Sequence, residues 1–187
     1  MKTLIIDWNQ KRSYGVRTYI KQKIVNGVEE IHFVNPKRGY VENIRFKNFP
    51  QLHIAQNQVI QCGFEDCGEI YLTSDCGHGD CRFKNIRSLH CAGKFLMYCD
   101  FEDSQCDSAS FVEIHKCRMS GCTFKNIQLK NDSFLVYGYG TSYISGCSLE
   151  NVTVTRKDGE MFHRNEEHFW PFVEEDTKEN IVAVNKE

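Results

Sequence analysis

The chain has 187 residues, a net charge of −2, 26% charged residues and 41% hydrophobic ones. That length suits one domain with a core of its own, and the charge balance excludes the basic footprint needed to hold nucleic acid or an anionic membrane surface. No apolar run approaches the ~20 residues that cross a bilayer, so the expectation is a soluble, cytoplasmic protein with no nucleic-acid and no membrane partner.

The first residues, Met1 to Asp7, hold Lys2 and the short apolar run Leu4-Ile5-Ile6, too short for the apolar core of a secretory signal. Ser13 is placed as the N-cap of a helix over 14–26, with Val16, Tyr19, Ile20 and Ile24 on one face and Gly27 as its stop. A strand follows at Glu30-Ile31-His32-Phe33-Val34, then a turn region at Asn35-Pro36 and Arg38-Gly39-Tyr40. Residues 1–40 are thus expected to form a strand-and-helix cap.

From there one phrase returns six times: IRFKN at 44–48, CGFED at 62–66, CRFKN at 81–85, CDFED at 99–103, CTFKN at 122–126 and CSLEN at 147–151. Its central residues, Phe46, Phe64, Phe83, Phe101, Phe124 and Leu149, lie 18, 19, 18, 23 and 25 residues apart. A constant phrase at a variable interval of this length describes a solenoid whose turns repeat one strand and vary their loops. Within the phrase, Cys122, Phe124 and Asn126 alternate with Thr123 and Lys125, a strand pattern with the first set inward. A second alternation follows the Asn, as at Ile127-Gln128-Leu129. A third apolar stretch is read at Ile70 to Leu72, Phe95 to Tyr98, Phe111 to Ile114 and Phe134 to Tyr137. SFVEIHKCRMSGCTFKNIQLKND (110–132) aligns with SFLVYGYGTSYISGCSLENVTVTRKD (133–158), Ser110-Phe111 on Ser133-Phe134. Three short strands per turn make a parallel β-helix of about six turns spanning 41–165. The segment 166–187 is its C-terminal cap, with the cluster His168-Phe169-Trp170-Pro171-Phe172 and an acidic tail from Glu174.

Vertical register explains the charges. Equivalent residues of successive turns lie ~4.8 Å apart, and one outward column runs Lys47, Glu65, Lys84, Glu102, Lys125, Glu150. Alternation gives every charge opposite neighbours, each pair contributing roughly 0.2–1 kcal/mol. A second column runs Asn48, Asp66, Asn85, Asp103, Asn126, Asn151, side chains suited to bends and to hydrogen bonding along the stack. All ten cysteines fall between Cys62 and Cys147, and five of them, Cys62, Cys81, Cys99, Cys122 and Cys147, share one position of the phrase. They read as a buried column of small side chains rather than a disulfide framework.

The opening helix, the strand Ile31-His32-Phe33, the pair Gly39-Tyr40 and the recurring Cys-x-Phe-x-Asn phrase resemble the right-handed parallel β-helix superfamily in its pectate-lyase-like form, over roughly residues 3–165. The resemblance implies an all-β, single-domain, right-handed coil. Members include polysaccharide lyases and hydrolases, tailspikes and non-enzymatic proteins, so it implies no single activity. No catalytic motif of the group matches residue by residue.

Candidate chemistry is sparse. Asp75-Cys76-Gly77-His78-Gly79-Asp80-Cys81 contains zinc-ligand types, with His90-Cys91 one strand later, but Cys76-x₄-Cys81 has no second pair to complete a site and reads as a Gly-rich bend. Glu113, His115, Lys116 and Arg118 are the nearest approach to a base beside a cation-binding carboxylate, and otherwise form a solvated strand face. Tyr137, Tyr139 and Tyr143 could line a sugar groove. Pairs of Cys and His are numerous enough to arise by accident and carry no nucleophile assignment. The expectation is a non-catalytic binding protein with no metal and no cofactor, whose candidate contact residues are His78, Asp80, Glu113, His115, Lys116, Arg118, Tyr137 and Tyr139. The expected partner is a protein, with a polysaccharide on a carbohydrate-active scaffold as the alternative, and the chain is expected as a monomer or a dimer joined through a solenoid end. A deep groove between residues 69 and 140, lined by Asp, Lys or Arg with tyrosines, would favour sugar chemistry. A flat face would favour protein contact.

Overall fold

The computed structural model describes residues 3–7, 24–26, 30–34, 39–42, 44–55, 57–74, 76–131, 133–139, 142–155, 161–163 and 182–183. The chain coils through three parallel sheets. The phrases build the largest, nine-stranded one, running Ile24–Asn26, Arg45–Lys47, Gly63–Glu65, Arg82–Lys84, Asp100–Cys106, Thr123–Leu129 and Ser148–Thr155. It ends on Met161–His163, antiparallel to Thr153–Thr155, and on Val182–Ala183, which pairs with Ser148–Leu149. A five-stranded return sheet holds Gln51–Ala55, Glu69–Thr73, Ser88–Ala92, Ser110–His115 and Phe134–Tyr139. A six-stranded sheet of short strands, Gly39–Glu42, Asn57–Ile60, His78–Gly79, Phe95–Met97, Arg118–Ser120 and Tyr143–Ser145, closes the coil. Thr3–Asp7 and Glu30–Val34 form a separate parallel pair.

Two expectations are corrected. The return sheet steps four times between Gln51–Ala55 and Phe134–Tyr139, so the solenoid has about four turns and not six. A phrase marks one strand rather than one closed turn, and the return after Ser148–Thr155 is not among the described residues. The capping helix over 14–26 is also not found: its end, Ile24–Asn26, is a strand paired with Arg45–Lys47, and 14–23 lie outside the described residues. Ile24 and Val25 are β-branched and meet the open edge of the phrase sheet, which takes them as its next strand. The aromatic cluster 168–172 also lies outside the described residues. No helix among the described residues is long and apolar enough to cross a membrane.

The phrases lie in the expected register, Phe46 on Phe64, Phe64 on Phe83, Phe83 on Phe101 and Phe101 on Phe124. Their rings stack through the core with centroids 5.1, 4.8, 4.8 and 4.8 Å apart. Each phrase turns at its Asn or Asp in the left-handed backbone region, with φ between 50° and 59° from Asn48 to Asn151, a conformation these two residues tolerate best after glycine. Side chains then tie the corner together: Asn85 donates to Asp66 at 2.7 Å, Asn126 to Asp103 at 2.8 Å and Asn151 to Asn126 at 3.1 Å. A second left-handed corner, at Gln61, Asp80, Tyr98, Gly121 and Gly146, precedes the five column cysteines. There each thiol donates to the carbonyl two residues back, from Cys62 to Ile60 at 3.3 Å through Cys147 to Ser145 at 3.6 Å. A small buried donor is what this corner needs. All ten cysteines are free, and only Cys76 is not buried.

Charges on the phrase wall alternate in register as read. Lys47 pairs with Glu65, and Lys125 with Glu150 at 3.2 Å. In mid-stack the pairing turns diagonal: Arg82 Nε takes Glu102 at 3.2 Å, and Lys84 reaches Asp103 at 3.4 Å. The return sheet departs from the sequence alignment in two ways. Phe95–Met97 belongs to the short-strand sheet, opposite Arg118–Ser120, and Ser110 pairs with Phe134 rather than Ser133. That single-residue shift turns a side chain to the other face: Phe111 is fully buried and Phe134 is 38% exposed.

Candidate functional site

In the return sheet, side chains alternate between core and solvent. Leu52 and Ile54, Ile70 and Leu72, Leu89 and Cys91, and Val112 and Ile114 point in and are buried. The residue between each pair therefore points out, and register stacks these as one column: His53, Tyr71, His90, Glu113, Tyr137. The His53 and Tyr71 rings lie 4.3 Å apart and 2° from parallel, those of Tyr71 and His90 4.4 Å apart and 6° from parallel. The Tyr71 hydroxyl donates to Glu69 at 3.0 Å, and Gln51 donates to the same oxygen at 3.3 Å. Desolvation, followed by that bond to the carboxylate, holds the Tyr71 hydroxyl above its ordinary range.

The ring stack ends on a carboxylate. His90 Nδ1 lies 2.8 Å from Glu113 Oε2, Ser110 Oγ donates to Glu113 Oε1 at 2.7 Å, and Ser88 Oγ lies 3.4 Å from His90 Nε2. With Glu113 ionised the network assigns the proton to Nδ1 and leaves Nε2 to accept from Ser88. Serine, histidine and carboxylate stand in the order of a nucleophilic triad. Ser88, however, is only 3% exposed, so no substrate can reach its Oγ, and the chain of bonds serves to fix the His90 ring. Beside His90 and Glu113 opens a cavity of about 200 Å³, bordered by Thr73, Ala92 and His115 over the buried Cys91 and Ile114.

Of the residues singled out in the sequence, Glu113 and His115 line this cavity. Tyr137 and Tyr139 lie one turn further on, in register with Glu113 and His115. The other four lie apart. His78 is fully buried on the short-strand sheet, and Asp80 occupies an exposed corner at φ 52°. Lys116 turns the chain at φ 49°, and Arg118 lies 4.7 Å over the ring of Tyr143. Sequence reasoning missed His53, Tyr71, Thr73 and Ala92, and weighed His90 only as a zinc-ligand type. The signal was present, because His53, Tyr71 and His90 each fall seven residues after the phenylalanine of their phrase.

Among the described residues no group of three or more His, Cys, Asp or Glu is arranged to hold a metal ion. His78 accepts a hydrogen bond from the Val59 amide on Nδ1 at 3.2 Å, which places its proton on Nε2 and leaves no lone pair there for a metal. Burial pushes the His78 imidazole down to about 4, so it is neutral at pH 7.

No protein-family model matches the chain, and no curated protein matches it. The class is therefore defined by the coordinates: a parallel β-solenoid, all-β, with repeated turns and many cysteines.

Proposed function

We propose that the protein is a non-catalytic binding module that docks another macromolecule, a protein, on the outer face of its return sheet. The observation that carries this reading is the shape of the surface between residues 69 and 140. Among the described residues it is a ladder of stacked rings beside a cavity of about 200 Å³ that no Asp, Lys or Arg lines. A sugar site needs an aromatic face open to the ring of the ligand, whereas both faces of Tyr71 are covered, by His53 and by His90. In-register parallel strands also make the face rigid, which lowers the ordering cost of binding a protein. The right-handed, pectate-lyase-like form of the coil belongs to the same proposal. Support for the hand comes from the near-universal right hand of parallel crossover connections.

The test is photo-crosslinking. A crosslinking amino acid at position 73 or 92 should trap a macromolecule in cells or extract, while the same probe at position 84, on the charge-compensated wall, should not. Equal capture from position 84, or none from 73 and 92, would remove the return sheet as the docking face. Capture of a polysaccharide would favour the carbohydrate-binding alternative.

A further inference from the structure

The two long walls of the coil differ in how their charges are met. On the phrase wall four carboxylates have a cation to hand, Glu65 with Lys47, Glu102 with Arg82, Asp103 with Lys84 and Glu150 with Lys125, while Asp66 and Asp100 accept from Asn85 and Thr123. The five return strands contain no lysine or arginine at all. Their two carboxylates, Glu69 and Glu113, are held by neutral donors or by an imidazole: Gln51 and Tyr71 for the first, Ser110 and His90 for the second. Among the described residues neither pairs with a lysine or arginine.

Glu113 is 27% exposed at the edge of the cavity. A carboxylate offers about four lone-pair directions, and two of these are used within the protein. The cavity lies over the strands at Cys91 and Ile114, whose own side chains turn into the core, and is flanked by the methyl group of Ala92, which gives the hydrocarbon stem of a basic side chain an apolar contact while its charged end reaches the carboxylate. A half-buried carboxylate without a cation gains more from an incoming one than an exposed carboxylate does, because water screens it less.

We infer that the docked protein inserts a lysine or arginine side chain into the cavity beside Glu113, so that the partner segment is basic. This rests on the return sheet being the docking face and names the chemistry of what it receives.

The experiment uses the isotope-labelled full chain and three short peptides, Ac-Gly-Gly-Xaa-Gly-Gly-NH₂ with arginine, lysine or citrulline at Xaa, titrated at physiological salt and followed by amide NMR. The arginine and lysine peptides should bind weakly, with Kd in the millimolar range, and shift the amides of Thr73, Ala92, Glu113 and His115. Citrulline, neutral and of nearly the same shape as arginine, should not. Glu113→Gln should weaken binding at least fivefold. Ala92→Leu, which fills the cavity and keeps the carboxylate, should abolish it, and Glu102→Gln on the other wall should leave it unchanged. The inference is overturned if citrulline shifts the same amides equally, if the shifts lie elsewhere, or if Glu113→Gln binds like the parent. Capture from positions 73 and 92 that survives Glu113→Gln would leave the docking face standing and remove only the basic side chain. Peptide binding at Glu113 with no capture from either position would do the reverse.

Discussion

His78 sits in an inward column otherwise made of Val41, Val59, Leu96, Met119 and Ile144. Its Nε2 has no hydrogen-bond partner among the described residues. Because burial pulls its pKa from 6.5 to about 4, the unfolded chain binds a proton in that interval and the folded one does not. Stability is therefore full above pH 6.5 and falls as pH drops towards 4, by roughly 3 kcal/mol over the whole interval. In urea titrations His78→Gln should lose less stability than the parent between pH 7 and pH 4.5, and parallel losses would show that His78 does not titrate between the two states. The cysteines give a second test at this scale. Burial raises the Cys62 and Cys67 thiols above their ordinary range, and a protonated thiol is a poor nucleophile. Of ten thiols, one should react quickly with an aromatic disulfide reagent in the native state, all ten in denaturant, and Cys76→Ser should remove the fast one. Rapid reaction of several native thiols would contradict the buried column.

Along a strand, the same alternation decides both packing and charge. Glu102→Lys would place a cation between Lys84 and Lys125 in register and take away the partner of Arg82. The wall is partly exposed, so the cost should be modest, about 1 kcal/mol at low salt and less at high salt. Glu102→Gln should cost less still, and a penalty indifferent to salt would mean that packing rather than charge holds the ladder. The phrase strands were legible in the sequence because they repeat between the same corner residues, Asn or Asp after all six and Cys before five of them. The return strands were less so. Their phase is set by loops of changing length, which is why aligning the repeats sets Ser110 opposite Ser133 and groups Phe95 with the return strands, whereas the fold pairs Ser110 with Phe134 and Phe95 with Arg118. The site divides in the same way: Glu113 and His115 stood out as charged groups, whereas His53, Tyr71 and His90 become a column only once the register is known. After Phe101 and Phe124 the spacing to Glu113 and Tyr137 grows to twelve and thirteen residues, and the count of seven stops working.

At the scale of the molecule, each turn touches chiefly the turns above and below it, so stability is close to a sum of turn and nearest-neighbour terms. A defect in the middle then weakens two interfaces between turns, and a defect on the last phrase strand only one, because beyond it the described residues add just the short strands Met161–His163 and Val182–Ala183. Phe83 is fully buried between Phe64 and Phe101, with ring centroids 4.8 Å away on both sides. Leu149 lies on the last phrase strand, 4% exposed, with Phe124 before it and Ala183 after it. Phe83→Ala should cost about 3–5 kcal/mol, and Leu149→Ala nearer the lower end of the ~2–5 kcal/mol range for such truncations. Hydrogen exchange separates the two more sharply than the midpoints do. The central substitution should lower protection in all three sheets on both sides of the cut, because neither half retains enough stacked interface to persist alone. The terminal one should deprotect Ser148–Thr155 and leave Arg82–Lys84 and Ser88–Ala92 as slow as in the parent. If Leu149→Ala loosened the whole coil as much as Phe83→Ala, the turns would not be acting as a one-dimensional stack, and a core shared across the full length would have to be holding them.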